Sequence, residues 1–231
     1  MRDMKAKIIA LVLVAIVHTG LSQPTQEAAK PATPRPIDPR AMRMQEAVLR
    51  TADIHKVEEL LKQGVDINAP IGCGTYSPLD GAVDTANLEM LKFLLAHGAK
   101  PQGRELANAA FMNNPQIALD FVKTLLSAGV DPNATNRYST PLASAAYQDH
   151  RDVVALLLAQ PGIKVDAQEV DGYTALMWAA EHGSMDLVDL LMNAGANPKI
   201  TNQHGKTAVS LAEEGIATRR AIIARLESKP R

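Results

Sequence analysis

Asp171-Gly-Tyr-Thr-Ala-Leu-Met-Trp-Ala-Ala-Glu-His-Gly-Ser-Met-Asp-Leu-Val-Asp-Leu-Leu-Met-Asn-Ala-Gly-Ala-Asn-Pro198 is the stretch on which the fold turns. A Gly turn leads into a short helix from Thr174, a second helix starts at about Ser184, and Gly195 stops it. Thr174 stands as an N-cap, its hydroxyl able to accept one of the backbone N–H groups that a first helical turn leaves unpaired. Gly183 and Gly195 suit the left-handed positions after a helix, where a Cβ would clash. Leu176, Ala179 and Ala180 give the first helix a stripe of small apolar residues, and Leu187, Val188, Leu190 and Leu191 give the second a larger one. Helices this short, each apolar on one side, do not stand alone. The unit is therefore predicted to stack on copies of itself.

The copies are present at a fixed period. Thr140-Pro-Leu, Thr174-Ala-Leu and Thr207-Ala-Val recur once every ~33 residues, and Ser77-Pro-Leu stands roughly two such periods before the first. The helix-ending glycines Gly64, Gly98, Gly129, Gly162 and Gly195 keep the same period, with a slightly shorter interval between Gly98 and Gly129. Two independent markers in one register define an internal repeat. The fold class this predicts is an all-α solenoid of stacked helix-turn-helix pairs, about five to six repeats over residues 41–231.

Ser77-Pro-Leu-Asp-Gly-Ala, Thr140-Pro-Leu-Ala-Ser-Ala-Ala and Thr174-Ala-Leu-Met-Trp-Ala-Ala open repeats. Leu60-Leu-Lys-Gln-Gly-Val-Asp-Ile-Asn, Leu94-Leu-Ala-His-Gly-Ala and Leu125-Leu-Ser-Ala-Gly-Val-Asp-Pro-Asn close them. On these motifs the chain resembles the ankyrin-repeat family, whose unit of about 33 residues opens Thr-Pro-Leu-His-x-Ala-Ala and ends Leu-Leu-x-x-Gly-Ala-Asp. The resemblance covers about residues 41–227. The family's His at the fourth motif position is replaced by Asp80, Ala143, Met177 and Ser210, so the hydrogen bonds it would make between loops must be missing or replaced. The third unit, from about Gly103, has no Thr-Pro-Leu and is placed by Ala109-Ala110 and Leu125-Leu126.

The N-terminal residues read differently. Arg2, Lys5 and Lys7, the apolar run Ile8 to Val17 and the small residues Gly20-Leu21-Ser22 make residues 1–22 resemble a secretory signal peptide, and the run is short of the ~20 apolar residues that span a bilayer. Cleavage is expected near Ser22, with no stable membrane insertion afterwards; retention as an anchor is the alternative. Residues 23–40 hold prolines at 24, 31, 34, 36 and 39 and are expected to form a linker. A single cysteine, Cys73, allows no internal disulfide, which for an exported chain suits the bacterial periplasm better than an animal extracellular space. Asn133-Ala-Thr is a glycosylation sequon in form, a coincidence in a bacterium.

Ala41 to Gln63 is expected to be the first helical pair and Thr207 to Leu226 the last, with Ile222, Ile223 and Leu226 inward and Arg219, Arg220 and Arg225 outward. Both terminal pairs read as caps that present one face to water.

No reactive constellation emerges. His55, His97, His150, His182 and His204 fall in different repeats at no metal-ligand spacing, and Glu213-Glu214 and Asp186/Asp189 read as solvated helix faces rather than acid/base pairs. There is no phosphate-cradling Gly loop and no Gly-x-Ser-x-Gly, so neither catalysis nor a metal or cofactor is expected. A net charge of −1 argues against nucleic acid, which selects clustered Lys and Arg.

The resemblance implies a concave face, lined by hairpin tips and the exposed edge of each first helix, on which the family binds proteins. Aligned on the Thr position, that face holds Cys73 and Tyr76, then Phe111 and Met112, then Arg137, Tyr138, Ser139, Tyr147 and Gln148. It continues with Val170, Asp171, Tyr173, Glu181 and His182, and ends with Gln203, His204 and Lys206. All four tyrosines fall there, whereas Phe93, Phe121 and Trp178 are assigned to buried stripes. Partner-binding residues are therefore expected at Tyr76, Arg137, Tyr138, Tyr147, Tyr173, Glu181, His182, His204 and Lys206. The function this supports is a monomeric, non-enzymatic periplasmic module for a protein partner, serving as inhibitor, immunity protein or scaffold for an exported hydrolase or toxin. The competing reading is an enzyme or enzyme subunit whose activity the sequence does not display.

Overall fold

The computed structural model describes residues 39–71, 76–213 and 220–228. The signal-like segment, nearly all of the proline-rich segment, Cys73 and Arg219 lie outside them, as do the side chains of Ala41, Arg220 and Ala221. Among the described residues every regular element is a helix. The helices fall into six pairs: α1 Pro39–Leu49 with α2 Ile54–Lys62, α3 Pro78–Asp84 with α4 Leu88–Ala96, and α5 Arg104–Ala110 with α6 Pro115–Ser127. The chain continues with α7 Pro141–Tyr147 and α8 Arg151–Leu158, α9 Ala175–His182 and α10 Met185–Asn193, and α11 Ala208–Glu213 and α12 Arg220–Glu227. The first helix starts at Pro39, two residues before the expected opening at Ala41.

The punctuation works as its chemistry requires. Ser77, Thr140 and Thr174 accept the backbone N–H of Asp80, Ala143 and Met177 through their side chains, and Asp53, Asn87 and Asn114 cap second helices in the same way. Gly183 closes α9 in the left-handed region at φ 76°. The odd-numbered helices form an inner row whose contact faces are mostly small, among them Ala82, Ala109, Ala110, Ala145, Ala146, Ala179 and Ala180, all buried. The even-numbered helices contribute the larger side chains: Met90, Leu91 and Leu94, then Phe121, Val122 and Leu125, then Val153, Val154 and Leu157, then Leu187, Val188 and Leu191. Small residues let the inner row pack closer than the outer row, which gives the stack a concave inner side. The principal helix contacts are within a pair or between successive pairs, so stability is a chain of nearest-neighbour interfaces.

At two of its four positions the family's missing His is replaced by another hydrogen-bonding side chain, whereas Ala143 and Met177 supply none. Asp80, 2% exposed, accepts on Oδ2 the N–H of Ser77 at 2.7 Å and its hydroxyl at 2.8 Å, and on Oδ1 Arg104 Nε of the next repeat at 2.7 Å; a terminal nitrogen of Arg104 donates to Oδ2 as well. Ser210 exchanges hydrogen bonds with Thr207, the hydroxyl of each accepting the other's N–H. A second set of bridges joins the loops after the outer helices. Asn68 reaches Gly98 O and Lys100 N, Asn133 reaches Gly162 O and Lys164 N, and Asp166 accepts Asn197 N. The Asn133 side chain of the sequon is thus an inter-repeat staple.

Two expectations change. Arg225 does not simply face outward: its guanidinium donates to Asp189 at 2.8 Å and to Asn193 at 2.7 Å, tying α12 to α10. Asp189 is accordingly one partner of an ion pair rather than a freely solvated carboxylate. Ile222 and Leu226 face inward as expected, with Ile223 partly buried beside them. The third repeat departs furthest from its neighbours. Only His97 to Gly103 connect α4 to its first helix, with no room for a hairpin, and its second helix has 13 residues against nine in α4 and α10 and eight in α8. Gly103 makes this short path possible at φ 95°; a Cβ there would lie 2.6 Å from the Cβ of Ala134.

Candidate aromatic binding face

The inner helices end on the concave edge, and the residue at or just after each end decides what that edge presents. Phe111 follows the end of α5, Tyr147 ends α7, and Trp178 and His182 lie one turn apart on α9. One repeat period brings these ends side by side. Phe111 stacks on Tyr147 with centroids 5.4 Å apart, and Tyr147 meets Trp178 edge to face at 4.8 Å. Tyr173, from the hairpin before α9, stacks on the same indole at 4.3 Å, and His182 lies 5.4 Å from Tyr147 and 5.8 Å from Trp178. The result is a continuous aromatic strip across repeats three to five.

Trp178 is the hub of this strip, half-buried at the surface rather than fully enclosed in the core as its sequence position suggested. Its Nε1 donates to Glu169 Oε1 at 3.1 Å, which fixes the ring plane. Burial raises the Glu169 carboxyl above its ordinary range, while the bonds from Ser139 and Trp178 act against that. Phe93 also differs from the expectation of full burial: it is partly exposed and packs its ring on His97 at 4.0 Å, whereas Phe121 is enclosed.

The structure distributes the other expected site residues along the same side. Tyr76 is half-buried and donates its hydroxyl to Asp84 at 2.5 Å; burial and that carboxylate both push its pKa up. Arg137 and Tyr138 occupy a hairpin tip shaped by Asn136, whose side chain accepts the N–H of Tyr138 and of Ser139 and donates to Asn108 of the preceding repeat. Tyr138 is 62% exposed, and its carbonyl accepts Val170 N of the next tip. Asp171 O accepts Gln203 N in turn, so successive tips are joined by backbone bonds. His204 and Lys206 flank Gly205 in the last tip, their N–H groups held by Asn202 Oδ1. Glu181 is half-buried next to His182.

Tyr147, Tyr173 and His182 are thus brought into one cluster; Tyr76, Arg137, Tyr138, His204 and Lys206 sit on separate tips. Sequence reasoning missed Trp178 as a surface member and Glu169 altogether. The available signal was spacing: Tyr147 precedes Trp178 by close to one repeat, and Trp178 precedes His182 by one helical turn. Chemically the strip offers ring faces and edges for packing, and the Tyr147 hydroxyl has no partner among the described residues. It presents large rigid apolar area with a polar handle, the composition of recognition hot spots.

Comparison with known proteins bears on the same region. A family model described as ankyrin repeats (3 copies) matches residues 106–202 and 164–217. The ankyrin repeat and KH domain-containing protein mask-1 of Caenorhabditis elegans is 30% identical over 156 residues, 68% of this chain and 6% of that protein. A putative ankyrin repeat-containing protein of Treponema pallidum is 36% identical over 95 residues, 41% of this chain and 32% of that protein. The chain therefore spans no more than about a third of these curated relatives. Among solved structures, an ankyrin repeat domain from Acinetobacter baumannii aligns with TM-score 0.68 and 27% identity over 80% of this chain and 95% of its own. A chain in the structure of the predatory endopeptidase Bd0816 from Bdellovibrio bacteriovorus in complex with immunity protein Bd3460 aligns with TM-score 0.64 and 27% identity, over 81% of this chain and 98% of that one. Among the described residues no helix is long and apolar enough to cross a membrane.

Proposed function

The chain is an ankyrin-repeat protein, and from that premise we propose that it is a non-enzymatic interaction module of the bacterial periplasm. It seats a protein partner on the concave side of its stack and acts as an inhibitor or immunity protein of an exported hydrolase or toxin. The observation that carries this reading is the aromatic strip of Phe111, Tyr147, Tyr173 and Trp178, which gathers half of the chain's eight aromatic residues on one edge. A core needs its aromatics enclosed; a binding face needs them ordered and accessible, and stacking on one another orders these before any partner arrives. Less entropy is then lost on association. The signal-like N-terminus supports export, and the likeness to a chain in an endopeptidase–immunity protein complex supports the inhibitory role.

The test is capture from periplasmic extract with the purified chain and with Tyr147→Ala in parallel. One exported protein, retained by the wild type and released at least tenfold more readily by the variant, is the expected outcome, since a hot-spot aromatic contributes about 2 kcal/mol or more. Equal retention by both would remove the strip from the interface. Mass spectrometry of the cellular fractions tests location, with a mature N-terminus near Ser22 in the periplasm expected and an intact Met1 in the cytoplasm as the refuting result.

A further inference from the structure

The third repeat is irregular in a way that builds something. Counted back from the glycine that ends each outer helix, Phe121 stands where Met90 and Leu187 do, eight residues before it, so the additional turn of α6 lies at its N-terminal end, residues 115–118. That turn carries Ile117, 38% exposed, beside Phe111, 47% exposed, although large exposed apolar side chains are few on this surface. Between them and the end of α3 opens a cavity of about 360 Å³ in which Val83, Phe111, Met112 and Ile117 form an apolar wall facing Asp84, Asn108, Asn113 and Asn114. A neighbouring groove at the starts of α6 and α8, about 280 Å³, is lined by Pro115, Gln116, Asp149, His150, Arg151, Asp152 and Val153 and holds no large side chain like Phe111 or Ile117. The notch lies at the junction of repeats two and three, and through the stack of Phe111 on Tyr147 it continues into the aromatic strip.

The charged side chain in its wall is acidic. Asp84, exposed, lies on the rim of the notch and accepts the Tyr76 hydroxyl, and residues 83–86 and 108–117 contain no Lys or Arg; Asp149, also exposed, follows Tyr147 at the next helix end, with Arg151 beyond it in the neighbouring groove. An apolar socket on a negative edge, with ring faces adjoining it, selects against acidic segments and favours cations, which carboxylates and aromatic faces both attract. Resting on the reading of this side as the partner's seat, we propose that the notch takes a bulky apolar side chain of the protein partner, flanked within a few residues by Lys or Arg that pairs with Asp84 and the Phe111–Tyr147 rings. This gives the partner segment a chemistry: apolar anchor plus basic neighbour.

The probe is a random dodecapeptide library displayed on phage, selected on the purified chain and counter-selected on Ile117→Ser. Enriched peptides should combine a large apolar residue with a nearby Lys or Arg. The synthetic form of the most enriched peptide should bind at least tenfold more weakly to Ile117→Ser and to Asp84→Asn, and more weakly at high than at low salt. Both variants change exposed side chains, and matching melting curves verify that they fold. Acidic or purely polar winners, no enrichment over the counter-selection, or equal affinity for the variants would each overturn the proposal. Peptides that lose affinity on Tyr147→Ala but not on Ile117→Ser would overturn the notch while leaving the concave side as the binding face. Indifference to both changes, together with partner capture indifferent to Tyr147→Ala, would remove both readings.

Discussion

Replacing Asp80 with Ala should loosen the chain between its second and third repeats without dissolving the rest. In the wild type the carboxylate is 2% exposed, accepts two bonds from Ser77 and two from Arg104, and so spans the α3–α5 interface. Truncation leaves the Ser77 N–H without an acceptor at a buried site, about 1–3 kcal/mol. It also leaves a guanidinium without its anion, a loss of about 3–5 kcal/mol in a fully buried pair. The Arg104 side chain is 26% exposed and can turn towards water, which places the second loss at or below the low end of its range. A total of about 3 kcal/mol follows, with Asp80→Asn milder at about 1–2 kcal/mol because its amide oxygen still accepts from Ser77. The third repeat has no hairpin tip to bridge this junction, so the penalty should stay local and the first two repeats should unfold ahead of the others. Trp178, the sole tryptophan, reports on the fifth repeat alone. In urea, Asp80→Ala should show an early loss of far-ultraviolet circular dichroism that Trp178 fluorescence does not follow, whereas the two probes should lie closer together in the wild type. A double-mutant cycle with Arg104→Ala should return a coupling of about 1 kcal/mol or more. Coincident transitions in the variant, or a shift below about 1 kcal/mol, would refute the account of this carboxylate as the interface staple.

Three further expectations concern single positions. Tyr138→Ala should shift stability by no more than about 0.5 kcal/mol because its side chain stands free at a tip, whereas Tyr173→Ala should cost about 1–2 kcal/mol through the lost stack on Trp178, both read from melting curves. Gly103→Ala should be considerably worse than Gly98→Ala: both residues have positive φ, but only at Gly103 does a Cβ meet another atom, Ala134 Cβ at 2.6 Å, so equal losses on denaturation would contradict the packing described. His150 is buried where α8 begins, with its Nδ1 unpartnered, and desolvation holds its pKa below the ordinary value against opposing backbone bonds to Asn113 and Ala110. The unfolded chain takes up the proton near pH 6.5 and the folded chain only at lower pH. Its contribution to stability is therefore complete above that pH and is lost as pH falls from about 6.5 towards the folded value; urea midpoints at about pH 7.5 and 5.5 should differ more for the wild type than for His150→Asn.

The repeat architecture was legible in the sequence because its determinants are local. Caps at Ser77, Thr140 and Thr174, a left-handed glycine closing each unit, and apolar stripes on short helices each act within a few residues, and repetition sets them in one register. The same register placed Tyr147, Tyr173 and His182 on one side of the stack. What composes that side depended on contacts between residues about one repeat apart, which no local rule encodes. Trp178 has an apolar character equally suited to a core, and only the approach of Tyr147 from the preceding helix and Tyr173 from the hairpin makes it the centre of a surface strip. Arg225 reads as a solvated charge until the neighbouring repeat supplies Asp189, and nothing in the sequence singles out Arg104 until Asp80 of the preceding repeat comes into contact with it. The missing hairpin and longer outer helix of the third repeat were hidden for a related reason: the short interval from Gly98 to Gly129 shows that residues are absent, but not that the inner loop lost them while the outer helix gained a turn. Local chemistry specified each unit, and the packing of unlike units against one another decided which side chains became core, staple or face.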